Sequence, residues 1–147
     1  MNVSRNFWSR LACYGRLNCF TDKVTKNLRK EGPLDSLDLA HKVVELASDR
    51  QASDVKLLDV RGIASFADYF VILTTLSARQ SESVVDQIVK YLKEREVSLM
   101  HREGDNNSGW ILMDFGDIII HVFAAEERVF YRLEELWSEA PTLVTIQ

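Results

Sequence analysis

Trp110-Ile-Leu-Met-Asp-Phe-Gly-Asp-Ile-Ile-Ile-His-Val-Phe123 reads as two apolar strands, Trp110–Phe115 and Ile118–Phe123, around a two-residue loop, Gly116-Asp117. Glycine there supplies the positive φ that primed hairpin turns require. This turn sets the register. Phe115 faces Ile118, Met113 faces Ile120 and Ile111 faces Val122, so one face of the hairpin carries six apolar residues and must be core. The other face pairs Asp114 with Ile119, Leu112 with His121 and Trp110 with Phe123. Large apolar groups are mixed there with an acid and a titratable ring, which leaves two readings. Either a helix covers this face, or it is a binding surface with an aromatic anchor.

Working outward, Glu126–Trp137 reads as a helix opened by two acids that suit its positive end, with Val129, Phe130, Leu133, Leu136 and Trp137 as its apolar face. Beyond Pro141, Thr142–Gln147 is expected to be a loose tail. Upstream of the hairpin, Gly104–Gly109 is a polar loop and Val97–His101 is a candidate third strand. Ser77-Ala-Arg-Gln80 has the spacing of a capping box and opens a helix to about Glu94, with Val84, Val85, Ile88, Tyr91 and Leu92 buried. Asp68–Thr75 and Val55–Val60 read as strands. Asp35 or Ser36 caps a first helix ending near Asp49, with Leu39, Ala40, Val43, Leu46 and Ala47 on one face. The sum is a single α/β domain, a mixed β-sheet with helices packed on it, over about 34–140, followed by a tail at 141–147.

Residues 1–33 lack a clear period and carry seven basic and two acidic residues, a net of +5. An unstructured basic extension is the expectation, with an organelle targeting peptide as the alternative. Both cysteines, Cys13 and Cys19, lie in this stretch, so the remainder needs no disulfide and suits a reducing, cytoplasmic setting. Residues 34–147 carry a net −9, of which 103–147 contribute −7. Nucleic-acid affinity comes mainly from cations displacing counterions, so such a domain suits a basic protein partner better than a phosphate backbone. No apolar run approaches the roughly 18–20 residues needed to span a bilayer.

Catalytic signatures are missing from the sequence. The glycines form neither a dinucleotide fingerprint nor a phosphate-binding loop, and no nucleophile elbow occurs. The one enzymatic alternative is a metal-dependent nucleotidyltransferase-like reaction, needing converging carboxylates among Asp59, Asp68, Asp114 and Asp117. No two of these sit at i and i+2 on one strand, and the expectation is no catalytic residue, no metal and no cofactor. His121, in a strand interior, reads as a hydrogen-bonded structural histidine, with a metal ligand or general base as the alternative.

Four segments in order resemble the ribosomal silencing factor (RsfS/Iojap) family: Asp54-Val-Lys-Leu-Leu-Asp-Val-Arg-Gly-Ile-Ala-Ser-Phe-Ala-Asp-Tyr-Phe70, Ser77-Ala-Arg-Gln80, Gly109-Trp-Ile-Leu-Met-Asp-Phe-Gly-Asp-Ile-Ile-Ile-His-Val-Phe123 and Glu127-Arg-Val-Phe-Tyr-Arg-Leu-Glu-Glu-Leu-Trp137. The resemblance implies a nucleotidyltransferase-like fold without the catalytic carboxylates. It also implies binding to the large ribosomal subunit through ribosomal protein number fourteen (uL14), which blocks subunit joining and represses translation under nutrient limitation. Organelle members are linked to large-subunit assembly, and a weak homodimer is compatible with the family. On this resemblance Trp110, Leu112, Asp114 and Tyr131 are the expected partner-binding residues, with the Trp110 indole at least partly exposed as the anchor. Glu127, Glu134 and Glu135 then form an acidic rim.

Overall fold

The computed structural model describes residues 35–147; the expectations for 1–33 lie outside the described residues. Helix α1 (Ser36–Asp49) buries Leu39, Ala40, Val43, Val44, Leu46 and Ala47, the stripe that a 3.6-residue period generates. Helix α2 (Ala78–Lys93) starts at Ser77, whose Oγ accepts the Gln80 amide at 3.2 Å. Gln80 Oε1 accepts from the Leu76 amide at 2.8 Å, one residue earlier than in a standard capping box. Its Nε2 donates to the carbonyls of Arg50 and Gln51 at 3.0 and 2.8 Å, fastening the start of α2 to the end of α1.

Six strands form one sheet: β1 (Ser53–Asp59), β2 (Tyr69–Thr75), β3 (His101–Glu103), β4 (Trp110–Asp114), β5 (Ile118–Ala124) and β6 (Thr142–Ile146), in the order β3-β4-β5-β2-β1-β6. The β2–β5 pair is parallel and every other pair antiparallel. All seven residues of β2 are buried, as expected of a central strand covered on both faces. The hairpin register is the one read from the sequence, with Trp110 opposite Phe123 and Asp114 opposite Ile119. Gly116 has φ +89°, while Asp117 keeps a negative φ, the arrangement of a II′ turn. The Asp117 carbonyl accepts from the amides of Asp68 and Tyr69, which ties the turn to the start of β2.

One sheet face, with Ile111, Met113, Phe115, Ile118, Ile120 and Val122, packs under α1 and α2. The other face, with Trp110, Leu112, Ile119 and Phe123, packs against the C-terminal segment and the 60–67 connection.

Three expectations are corrected. The third strand begins at His101 rather than Val97, because the Val97 amide still closes on Leu92 O at 3.0 Å to finish α2, and pairing starts only at Met100 N–Asp114 O. Thr142–Gln147 is not a loose tail: β6 pairs with β1, Val144 opposite Leu57 and Ile146 opposite Val55. The last helix is two pieces, α3 (Ala125–Tyr131) and α4 (Leu133–Leu136), separated by Arg132 at φ +44°.

Candidate protein-binding site

The second hairpin face and the two short helices over it contain all four expected contact residues. Trp110 is only 2% exposed, so the expectation of a partly exposed indole is corrected. Its ring stacks on Phe123 (centroids 4.8 Å apart) and meets the Tyr131 ring at 4.7 Å. Leu112 is buried in the same cluster, which Leu133 and Trp137 of the C-terminal segment help to close. The physical reason is the helical cover: Trp137 sits edge-on against Phe70 at 5.0 Å, and the face is wrapped before any partner arrives. Tyr131 and Asp114 are half-buried and keep access to solvent. Asp114 Oδ1 accepts the Gly116 amide at 2.7 Å and stabilises the turn. Four residues along one strand separate it from Trp110 by roughly 13 Å. The fold therefore brings Trp110, Leu112 and Tyr131 together and leaves Asp114 at the far end of the strand.

His121 is fully buried, and its Nδ1 accepts the indole N–H of Trp110 at 3.3 Å. Burial first, and the nearby Arg128 charge second, push its pKa down to about 3 against the opposing pull of Glu134. It is a neutral, hydrogen-bonded strand residue, the structural one of its two readings. Asp59 is engaged by Arg61, whose Nη2 donates to Oδ2 at 2.6 Å; that hydrogen bond holds its carboxyl below the usual range. Among the described residues no group of three His, Cys, Asp or Glu side chains is placed to hold a metal ion.

Sequence reading missed the residue that organises the C-terminal segment. Arg128 is buried, and its Nε and Nη2 donate to Glu134 Oε1 at 2.8 and 2.5 Å. Nη1 donates to Thr74 Oγ1 at 3.0 Å and Nη2 to the Asp54 carbonyl at 3.0 Å. One guanidinium thus joins α3 and α4 to β2 and to the start of β1, and Lys56 reaches Glu134 at 3.4 Å. Burial alone would raise the Glu134 carboxyl, but the Arg128 hydrogen bonds and the charges of Arg128 and Lys56 outweigh it and hold it below the usual range. A six-residue separation is not a helical neighbour spacing, so no local pattern announces this pair.

With Arg128 turned inward, Val129 and Phe130 turn outward and are 68% and 75% exposed, while Leu136 is 54% exposed. The expected apolar face of this helix is corrected accordingly: only Leu133 is buried, with Trp137 partly so. Gly109, at φ +73°, leaves room for the Glu127 side chain, which occupies the place a Cβ would take.

The family model described as "Ribosomal silencing factor during starvation" (RsfS) matches residues 33–147. A relative from Halalkalibacterium halodurans carrying the name Ribosomal silencing factor RsfS is 33% identical over 75% of this chain and 94% of its own. A mouse relative, Mitochondrial assembly of ribosomal large subunit protein 1, is 32% identical over 73% of this chain and 50% of its own. A solved structure of a Chromobacterium violaceum protein superimposes with a TM-score of 0.67 at 27% identity, covering 71% of this chain and 88% of that one.

Proposed function

The chain belongs to the ribosomal silencing factor (RsfS) family, and on that premise we propose that it binds protein number fourteen of the large ribosomal subunit and keeps the small subunit from joining. Membership gives it a ribosome-associated, translation-silencing role, regulatory rather than enzymatic. The observation on this chain that supports the finer reading is the net −7 of residues 103–147, which carry the two short helices beside accessible Tyr131. A large-subunit protein that itself holds RNA is basic, and an acidic rim would steer encounter with it while repelling RNA.

In this reading Tyr131 and Asp114 make the contact, and Trp110 and Leu112 act from behind. Trp110 backs the Tyr131 ring, so a buried residue fixes the shape of the surface it does not touch. The test is co-sedimentation of the purified chain with isolated large subunits without added nucleotide. Stoichiometric pelleting that Tyr131→Ala weakens supports the reading, and a chain that stays in the supernatant contradicts it.

The mouse relative is named for mitochondrial assembly of the large ribosomal subunit, which favours a second setting in which the same contact is made on an organellar subunit. Import of a residues 1–33 fusion into isolated mitochondria separates the settings: uptake assigns the organelle, exclusion the cytoplasm.

A further inference from the structure

We propose that Phe130 is the apolar anchor of this docking surface, entering an apolar recess rimmed by Lys or Arg on a basic protein partner; this inference rests on the reading above. Single exposed apolar residues are ordinary on protein surfaces and carry no meaning alone. Here three of the seven large exposed hydrophobics among the described residues, Val129, Phe130 and Leu136, fall on the two short helices, and Phe130 is the one aromatic among the seven.

The helix is amphipathic the wrong way round. A charged Arg128 is buried while its two apolar successors face solvent, and successive residues are turned by about 100°. The four hydrogen bonds of Arg128 hold that orientation, so Phe130 cannot turn inward without unpairing a buried guanidinium.

Phe130 is also supported from below. Its ring meets Tyr131 edge-on at 5.0 Å, Tyr131 meets Trp110 at 4.7 Å, and Trp110 stacks on Phe123 at 4.8 Å. This line of rings runs from solvent to the central sheet. An aromatic side chain held this way loses little freedom on binding.

Charge selects the partner class. Glu126 lies four residues before Phe130 on the same helical face, and Glu135 and Glu139 are exposed on the following segment. Arg132, the one exposed base from 125 to 140, is paired with Glu135 at 3.4 Å. A phosphate backbone is repelled by such a surface, and a basic protein is attracted.

The full chain, its Phe130→Ala and Glu126→Lys variants, and a Leu143→Ala control on the edge strand β6 are titrated against isolated large subunits over a salt series, with the thermal midpoint of each. Phe130→Ala is expected to bind roughly 30-fold or more weakly with an unchanged midpoint, and Glu126→Lys to lose affinity most at low salt. Leu143→Ala should bind like the parent. Parent that fails to bind large subunits overturns the reading and this inference together. Parent that binds, with Phe130→Ala within twofold of it or no weaker than Leu143→Ala, overturns the inference alone. Equal binding to protein-free ribosomal RNA overturns it as well.

Discussion

The indole N–H of Trp110 donates to Nδ1 of His121 across 3.3 Å, so the imidazole keeps its own proton on Nε2 and stays neutral in the covered face of the sheet. The contact joins the residue expected to anchor a partner to the histidine whose alternative reading was a metal ligand or general base, and both are buried.

From the depressed His121 pKa follows a pH dependence. The folded state holds this ring neutral down to about 3, while the unfolded chain protonates it near 6.5. Stability is therefore full above about pH 6.5 and falls as pH drops toward 3, by up to about 1.4 kcal/mol per pH unit from this group. Urea unfolding at pH 7.5, 6.0 and 5.0 should show that slope, and His121→Asn should flatten it between pH 6.5 and 5.

Trp110→Ala is expected to cost about 3–5 kcal/mol of stability, the penalty of emptying a large core site. Trp110→Phe should retain most of the packing and lose about 1 kcal/mol for the hydrogen bond to His121. Chemical denaturation of the two variants checks this: a Trp110→Ala domain as stable as the parent would show the indole to be peripheral.

The hairpin was legible because its signals are local. Gly116-Asp117 sets the turn, and alternation then sets every pair from Phe115–Ile118 to Trp110–Phe123. The helices starting at Ser36 and Ala78 were legible from apolar periodicity, and the second also from its cap at Ser77; Asp35 holds the N-cap position of the first without the expected side-chain hydrogen bond. The C-terminal region was not, because its determinants are distant in sequence. Arg128 is recruited inward by Thr74 and Asp54, more than fifty residues away, and apolar periodicity cannot register a buried cation. The same inward turn exposes Phe130 and closes the cover over Trp110. β6 was missed because its partner, β1, lies more than eighty residues upstream and supplies the pairing that Thr142–Ile146 alone does not predict.

The Arg128–Glu134 pair should respond asymmetrically. Glu134→Ala leaves a buried guanidinium without its anion and should cost on the order of 3 kcal/mol. Arg128→Met leaves a carboxylate that is 23% exposed and can be hydrated, so roughly 1–2 kcal/mol is expected. Because the Glu134 carboxyl is held below its usual range, its contribution is present above about pH 4.5 and fades as pH falls through the lower folded value. Equal costs for the two variants at pH 7 would show that burial of Arg128 is not the deciding factor.

Ending the chain at Ala140 removes β6 and leaves β1 as a bare edge of the sheet. Val144 and Ile146 also leave the core they pack against. A lowered thermal midpoint and concentration-dependent association are expected, since an unprotected edge pairs with other chains. Size-exclusion chromatography over a dilution series reads this out; a monomeric, undiminished truncation would return residues 141–147 to the status of a tail.

The proposed function is that this chain silences translation by occupying the large subunit's joining face. It is tested most directly by mixing isolated large and small subunits with and without the purified chain, in the absence of added nucleotide, and following joined ribosomes by light scattering. Joining is expected to fall in proportion to large subunits occupied, and small subunits added in excess should not restore it while the chain stays bound. Joining at an unchanged rate and extent on large subunits saturated with the chain would contradict it.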